Sequence, residues 1–173
     1  MYPTSYCCCR TPSAAHNVNI KPHHFVDILA ALGGGRSRYE PHPYGHALHT
    51  VAHRILADRE VCLRIELGAD DICAPCRHNV GGTCDDVIDT SFRPEAPASK
   101  NTWNLRLDRR WCEALGLKQG DELTAGQLCG LIAGRIDRVP GIYRELPPDR
   151  TLLKQRQIEE GARLFPADRT ASK

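Results

Sequence analysis

The sequence predicts a mainly α protein with a short β element, folded as a single compact helical domain built around a cysteine metal knuckle. Apolar residues recur at helical spacing in several segments, whereas residues 61–67 alternate between apolar and other residues. Between these segments, residues 70–84 carry three cysteines framed by a proline and two glycines. The length of 173 residues is typical of one domain.

The composition of the ends predicts two tails around this domain. We interpret residues 1–20 as a mobile N-terminal tail, residues 21–165 as the metal-binding helical domain, and residues 166–173 as a C-terminal tail. The tail contains Cys7, Cys8 and Cys9. Adjacent cysteines point in divergent directions and chelate one ion poorly, so we assign them no role.

The first predicted helix begins at Pro22, a residue well suited to the first helical turn. Its apolar residues between 25 and 32 recur at helical spacing, and the glycines at 33–35 end it. His23 and His24 would lie in its first turn. They are either exposed or capping residues, or one of them faces the metal site or a bound anion.

The second predicted helix, over residues 46–56, carries two stripes at helical period. One stripe is apolar, and the other consists of His46, His49 and His53. At about 100° per residue the stripes are well separated, so the histidines should not face the core. Such a face could bind a second metal, line a substrate cleft, or be solvated. These three histidines are the candidate catalytic residues.

The strand at residues 61–67 leads into the cysteine knuckle, with Cys62 on the face opposite the apolar set. Cys73 and Cys76 form a C-x2-C pair, which can place both sulfurs on one metal. Glycines at 81–82 let the chain fold back, so that Cys84 can return to the same centre. Three thiolates converging in this way predict a metal centre, either an iron–sulfur cluster or zinc.

Such centres usually have four protein ligands, so a fourth must come from elsewhere. Residues 90–102 are predicted to be an irregular connection, and its Arg93 and Lys100 could contact an anion. Three helices should follow, over residues 105–117, 124–133 and 147–164, with Thr124 as an N-cap and a turn at residues 140–141. Cys129 is the best distant candidate for the fourth ligand, although a buried structural thiol is the rival interpretation.

Composition narrows the classes of partner and compartment. A formal net charge of +2 with dispersed basic residues and few aromatic ones argues against nucleic acid as a partner. No apolar run approaches the length of a membrane span, and no export signal is evident. Nine cysteines, an odd number, fit reduced thiols in the cytoplasm better than a disulfide scaffold. A redox partner protein is the expected partner.

Several short motifs resemble domain-of-unknown-function family 1284, whose members are described as iron–sulfur binding. The residues that carry the resemblance are Pro22-His23-His24, Asp70-Asp71-Ile72-Cys73-Ala74-Pro75-Cys76, His78, Gly82-Thr83-Cys84, Leu115-Gly116-Leu117 and Gly120-Asp121. The likeness spans roughly residues 21–135. It implies a cofactor, expected to be a [4Fe–4S] cluster with zinc as the alternative, and it implies no particular reaction.

The chain departs from the family pattern where a cysteine often follows the paired histidines closely. Here that position is Asp27. The candidates for the fourth ligand are therefore Cys129, Asp27, His24 and His78, in that order. An oxygen or nitrogen ligand would change the reduction potential of a cluster.

Three functions remain open from the sequence. The first is a small iron–sulfur protein acting in electron transfer or redox sensing. The second is a structural zinc knuckle in a protein-interaction module. The third is a cluster-dependent enzyme in which a histidine of the second helix moves protons.

Overall fold

The computed structural model describes residues 17–36 and 38–165. In these residues the chain forms six α-helices and five short strands, which confirms the mainly α class with short β elements. The helices are α1 (Pro22–Gly33), α2 (Leu48–Ala57), α3 (Lys100–Leu115), α4 (Ala125–Ala133), α5 (Val139–Ile142) and α6 (Pro148–Leu164). The strands are β1 (Val18–Ile20), β2 (Cys62–Ile65), β3 (Asn79–Val80), β4 (Thr83–Cys84) and β5 (Glu122–Thr124).

A three-stranded sheet lies beside the helices, in the order β1-β2-β5. β1 is parallel to β2, and β5 is antiparallel to it. Val18 and Ile20 of β1 are 2% and 0% exposed. Residues 18–20, which the sequence interpretation assigned to the N-terminal tail, are therefore part of the core. Three residues are too few to show a β period, and the strand forms because β2 supplies its hydrogen bonds.

Helices α1 and α6 cross at two glycines, and this contact anchors the helical layer. A Cβ atom at Gly161 would overlap the carbonyl oxygen of Leu29, and one at Gly33 would overlap that of Gln157. Only glycine lets the two backbones approach this closely. Helix α1 is buried along most of its length, from Pro22 and His23 in its first turn to Ala30.

Local signals at the helix ends are mostly as predicted. Thr124 accepts a hydrogen bond from Gln127 N and forms a full capping box with it. Ser99 caps α3, so that helix begins at Lys100 inside the segment predicted to be irregular. Residues 140–141, predicted to form a turn, lie instead within α5, where the proline occupies the first helical turn.

The helix predicted over residues 46–56 begins at Leu48, so His46 lies just before α2 rather than within it. The apolar stripe is confirmed, since Val51 and Ile55 are buried. His53 is exposed, as expected for the opposite face, and its Nε2 accepts a hydrogen bond from Tyr39 N.

The cysteines at positions 7–9 and residues 166–173 lie outside the described residues. Among the helices of residues 17–36 and 38–165, none is both long and apolar enough to cross a membrane.

Candidate metal centre

The cysteine segment folds back through a two-stranded hairpin, β3-β4. Gly81 and Gly82 connect its strands with φ angles of 59° and 86°, a backbone region that favours glycine. Asn79 pairs with Cys84 across the hairpin, and Asn79 N donates to Cys76 O. This pairing returns Cys84 to the neighbourhood of Cys76, as the glycines predicted.

Cys73, Cys76 and Cys84 line the same cavity, which has a volume of about 210 Å³. Histidines from three separate segments of the chain also line this cavity, which we call the thiol cavity. Its other polar lining residues are His24, Asp27, Tyr44, His46, His78, Asp86, Lys100 and Asn104. Soft sulfur donors and imidazoles therefore converge in one space, a donor set suited to zinc or an iron–sulfur centre.

Three donors in this region lie closer together than the rest. His24, Asp70 and Cys73 each offer a ligand atom, and the three atoms lie within 4.8 Å of one another. Cys76 and Cys84 do not belong to this close group among the described residues. The thiol cavity thus combines a close group of donors at Cys73 with two thiols that lie outside this group.

Asp70 is the centre of the hydrogen bonds around this cluster. Its carboxylate is 1% exposed and accepts from Lys21 N and Cys73 N, both at 2.9 Å, and from His24 Nδ1 at 2.7 Å. Burial alone would raise the pKa of Asp70, but His24 and the two backbone donors hold it well below its usual range. Asp70 is therefore a carboxylate at neutral pH and can only accept hydrogen bonds.

This acceptor determines the state of the His24 ring. Since Asp70 is charged, His24 Nδ1 must carry a proton and donate it, so Nε2 is the nitrogen that could bind a metal, once it has released any proton that it carries. Burial lowers the pKa of His24, but the Asp70 charge and hydrogen bond outweigh it and raise the pKa. A carboxylate that orients a histidine in this way is common behind metal ligands.

His23 and His24 have different roles, a question that the sequence left open. His23 is 4% exposed, and its Nδ1 lies 2.9 Å from both oxygens of Asp108, which is fully buried. Asp108 also accepts from His23 N at 2.8 Å. This closed pair ties α1 to α3, whereas His24 lines the thiol cavity.

The Cys73 thiol is neutral at physiological pH unless a metal is bound. Burial, followed by the Asp70 charge, raises its pKa to about 12, and Lys21 Nζ at 3.4 Å from the sulfur only partly offsets this. Because metals bind the thiolate, loading this site would release the Cys73 proton.

Two further candidates for the fourth ligand also line the thiol cavity. His78 Nδ1 bonds Asp85 at 2.8 Å, a more exposed version of the His24–Asp70 pair. Asp27 is paired with Lys154 at 2.7 Å. Burial acts to raise the pKa of Asp27, but the Lys154 charge opposes this effect and the pKa is lowered overall. To bind a metal, this carboxylate would have to give up its ion pair with Lys154.

Cys129, the first choice from the sequence, lies in a different place. It is 5% exposed on α4, and its Sγ lies 3.8 Å from the carbonyl oxygen of Ala162 on α6. It is not among the lining residues of the thiol cavity. Burial raises its pKa to about 11. This environment is that of a packed thiol, the rival interpretation of Cys129.

The three candidate catalytic histidines are in unlike environments. His46 lines the thiol cavity, and its Nδ1 is buried with no hydrogen-bond partner in the described residues. Burial, followed by the nearby His42, lowers the pKa of His46, which favours the neutral ring at physiological pH. His49 has a similarly unpartnered Nδ1 but does not line the cavity, and His53 is exposed.

The role of the Asp70 carboxylate was not predicted from the sequence, although a local signal was present. Its side chain accepts from the backbone N–H three residues ahead, as an N-capping residue does. An aspartate three positions before a ligand cysteine therefore indicates a turn-stabilising carboxylate. Its bonds to Lys21 and His24 have no such signal, because those residues are distant in the chain.

Comparisons with known proteins add no relative. No family model matches the chain, and neither a curated protein nor a solved structure shows a significant match.

Proposed function

We propose that this protein binds an iron–sulfur cluster in the thiol cavity, with Cys73, Cys76 and Cys84 as thiolate ligands and His24 as the fourth. The observation that carries the proposal is the convergence of these three thiols with His24, whose ring Asp70 orients. Cys129 is replaced in this ligand set because its sulfur faces Ala162 instead of the cavity.

The spacing of the donors supports a cluster over a single zinc ion. With Zn–S bonds of about 2.3 Å and tetrahedral angles, zinc thiolates lie roughly 3.8 Å apart. Cys76 and Cys84 fall outside the group whose ligand atoms lie within 4.8 Å of one another. A cluster of several irons separates its thiolates more widely than one ion does, so it requires less movement here.

A histidine in the ligand set would influence the redox behaviour of the cluster. Imidazole in place of thiolate raises the reduction potential, as in Rieske centres. The His24–Asp70 pair would also couple the potential to protonation. Both effects suit electron transfer or redox sensing, and a [4Fe–4S] cluster is the form we expect.

The motifs that carry the resemblance to domain-of-unknown-function family 1284 include residues of the thiol cavity. Its most specific motifs contain His24, Cys73, Cys76, His78 and Cys84, and all five line the thiol cavity. Residues that are far apart in the sequence would be expected to meet in this way if they served one cofactor.

The alternative is a structural zinc site in a protein-interaction module. The short hairpin with two glycines after a C-x2-C pair is the observation that favours it, since zinc knuckles use similar turns. Metal analysis separates the two proposals, because zinc carries no redox chemistry.

The test is anaerobic purification with iron, sulfide and zinc measured per chain. We expect iron and sulfide together, with visible absorbance that dithionite bleaches. Cys76→Ala should lose the cluster, whereas the matched Cys129→Ala should keep it. His24→Ala should retain iron but shift the reduction potential or convert the cluster to a form with less iron.

Two outcomes would contradict this assignment. A colourless protein with stoichiometric zinc would replace the cluster with the structural alternative. Loss of iron in Cys129→Ala, with retention in His24→Ala, would restore Cys129 as the fourth ligand.

A further inference from the structure

A second cavity, which we call the basic cavity, adjoins the thiol cavity and has a volume of about 260 Å³. The two share His24, Asp27, Lys100 and Asn104 as lining residues. A molecule bound in the basic cavity would therefore contact residues that also face the thiols.

The permanent charges in this lining are mainly positive. Arg93, Lys100 and Lys154 line the basic cavity, against the single carboxylate of Asp27. Lys154 is paired with Asp27 at 2.7 Å, and Lys100 is paired with Asp86 at 2.8 Å. Two of the three cations are thus already neutralised by a carboxylate.

Arg93 is different, because no ion pair to a carboxylate is seen for it in the described residues. Its Nε donates to the backbone carbonyl of Asp89 at 2.7 Å. The two terminal nitrogens of the guanidinium group make no protein hydrogen bond in the same residues. The Asp89 carboxylate is near enough to offset part of the charge, and Arg150 adds to it. A guanidinium group whose two terminal nitrogens have no protein partner is well shaped to bind an oxyanion through two parallel hydrogen bonds.

The position of Arg93 is constrained by its neighbours. Its guanidinium lies 5.3 Å from the centre of the Trp103 ring and 4.9 Å from that of Phe92. These contacts and the Asp89 carbonyl hold the side chain before any ligand arrives. Less conformational entropy is then lost on binding, which favours affinity for a small ligand.

Apart from His23 and His24, which are paired with Asp108 and Asp70, the remaining walls are apolar or neutral. Trp103, Leu107 and Leu146 line the basic cavity, and Asn104 stands where the two cavities meet. The Asn104 amide makes no hydrogen bond within the part of the chain that is described. An oxyanion with a short organic body fits this combination of one cationic fork, apolar walls and a neutral amide.

We propose that the basic cavity binds the carboxylate or phosphate group of a small organic anion, with Arg93 as its main contact. The body of this anion extends past Asn104 towards the thiol cavity. Its role as a substrate or effector of the metal centre rests on the proposed function, whereas its binding does not. Arg93, Lys100 and Asn104 are thus binding residues.

The experiment is isothermal titration calorimetry on the protein as purified anaerobically, with inorganic phosphate and succinate as separate probes. We expect one of the two to bind at one site per chain. Arg93→Gln should weaken this binding about tenfold to a hundredfold, because it removes charged hydrogen bonds. Arg109→Gln is the matched control. Arg109 is exposed on α3 and lines neither cavity, so its loss should change the affinity less than about twofold.

A second variant tests whether a loss of binding in Arg93→Gln comes from misfolding. Lys100→Gln removes a cation from the same cavity and should also weaken binding, with the helical circular dichroism unchanged. The probe that binds identifies the anion, since phosphate favours a phosphoryl group and succinate favours a carboxylate.

The outcomes separate this inference from the proposed function. Binding that persists in protein free of metal, and is lost in Arg93→Gln, supports the anion site even if no cluster is found. A protein with its cluster that binds neither probe overturns the anion site and leaves the cluster in place. Equal losses of affinity for the probe in Arg93→Gln and Arg109→Gln also overturn the anion site, because the affinity then depends only on the net charge of the protein.

Discussion

Replacing Asp70 with asparagine should both destabilise the protein and weaken the metal binding that we propose for it. Three donors converge on the Asp70 carboxylate, with Lys21 N and His24 Nδ1 on one oxygen and Cys73 N on the other. An asparagine side chain has only one acceptor oxygen, and its NH₂ group would replace the other carboxylate oxygen and meet an N–H donor there. In the least disruptive orientation, the bond from Cys73 is lost and the other two lose their charge.

The magnitude follows from burial and from the number of bonds. Hydrogen bonds to a charged group contribute about 1.5–3 kcal/mol each, and a buried donor left without a partner costs about 1–3 kcal/mol. We therefore expect Asp70→Asn to lower the free energy of unfolding by about 2–4 kcal/mol. Metal affinity should fall about 10- to 100-fold, because His24 loses the group that orients it.

Urea unfolding of chelator-treated protein at pH 7 measures the first effect, and competition with a metal chelator measures the second. Asp85→Asn is the matched control, since Asp85 also bonds a histidine, His78, but its side chain is 57% exposed. That variant should lose less than about 1 kcal/mol. Equal destabilisation in the two variants would refute the idea that the buried carboxylate organises the site.

Two further predictions concern residues that line neither cavity. Gly161→Ala should destabilise the protein by about 1–3 kcal/mol or more in urea, because its methyl group meets the Leu29 backbone. Gly130→Ala, at an exposed position of α4 where a Cβ atom meets nothing within 4 Å, should instead stabilise the protein by up to about 1 kcal/mol. A neutral Gly161→Ala would contradict the close helix crossing. The pKa of Glu145 is lowered to about 2, mainly by hydrogen bonds from Arg110. Its contribution to the free energy of unfolding should therefore be complete above about pH 4.5 and should be lost as the pH falls towards 2. Glu145→Gln should therefore cost about 1–2 kcal/mol at pH 7 and almost nothing at pH 2, and a difference independent of pH would show that the ion pair is not its source.

The proposed centre would also link metal binding to folding. Cys73 carries a proton at neutral pH, and the Asp70 carboxylate bonds Lys21 and His24 near the start of α1 as well as Cys73 in the cysteine segment. A bound metal would replace the proton and bridge the hairpin to α1. Loading should therefore release protons and raise the unfolding midpoint.

The elements that could be predicted from the sequence are those whose signals are local. Apolar periodicity indicated α1, most of α2 and β2, and the capping pattern indicated the start of α4. The cysteine spacing and the glycines at 81–82 indicated that the chain folds back and returns Cys84 towards the C-x2-C pair. Each depends on backbone preferences within a few residues, which one sequence displays directly.

The tertiary structure alone decided which distant residues meet. β1 was missed because three residues carry no period, and its pairing with β2 joins segments far apart in the chain. His24 and Asp70 are 46 residues apart, and their bond selects His24 over His23 as the imidazole of the thiol cavity. Cys129 was favoured for its chemistry, yet α4 packs its sulfur against α6. Residue type and spacing determine what a side chain can bind, whereas the packing of helices determines which side chains share a cavity.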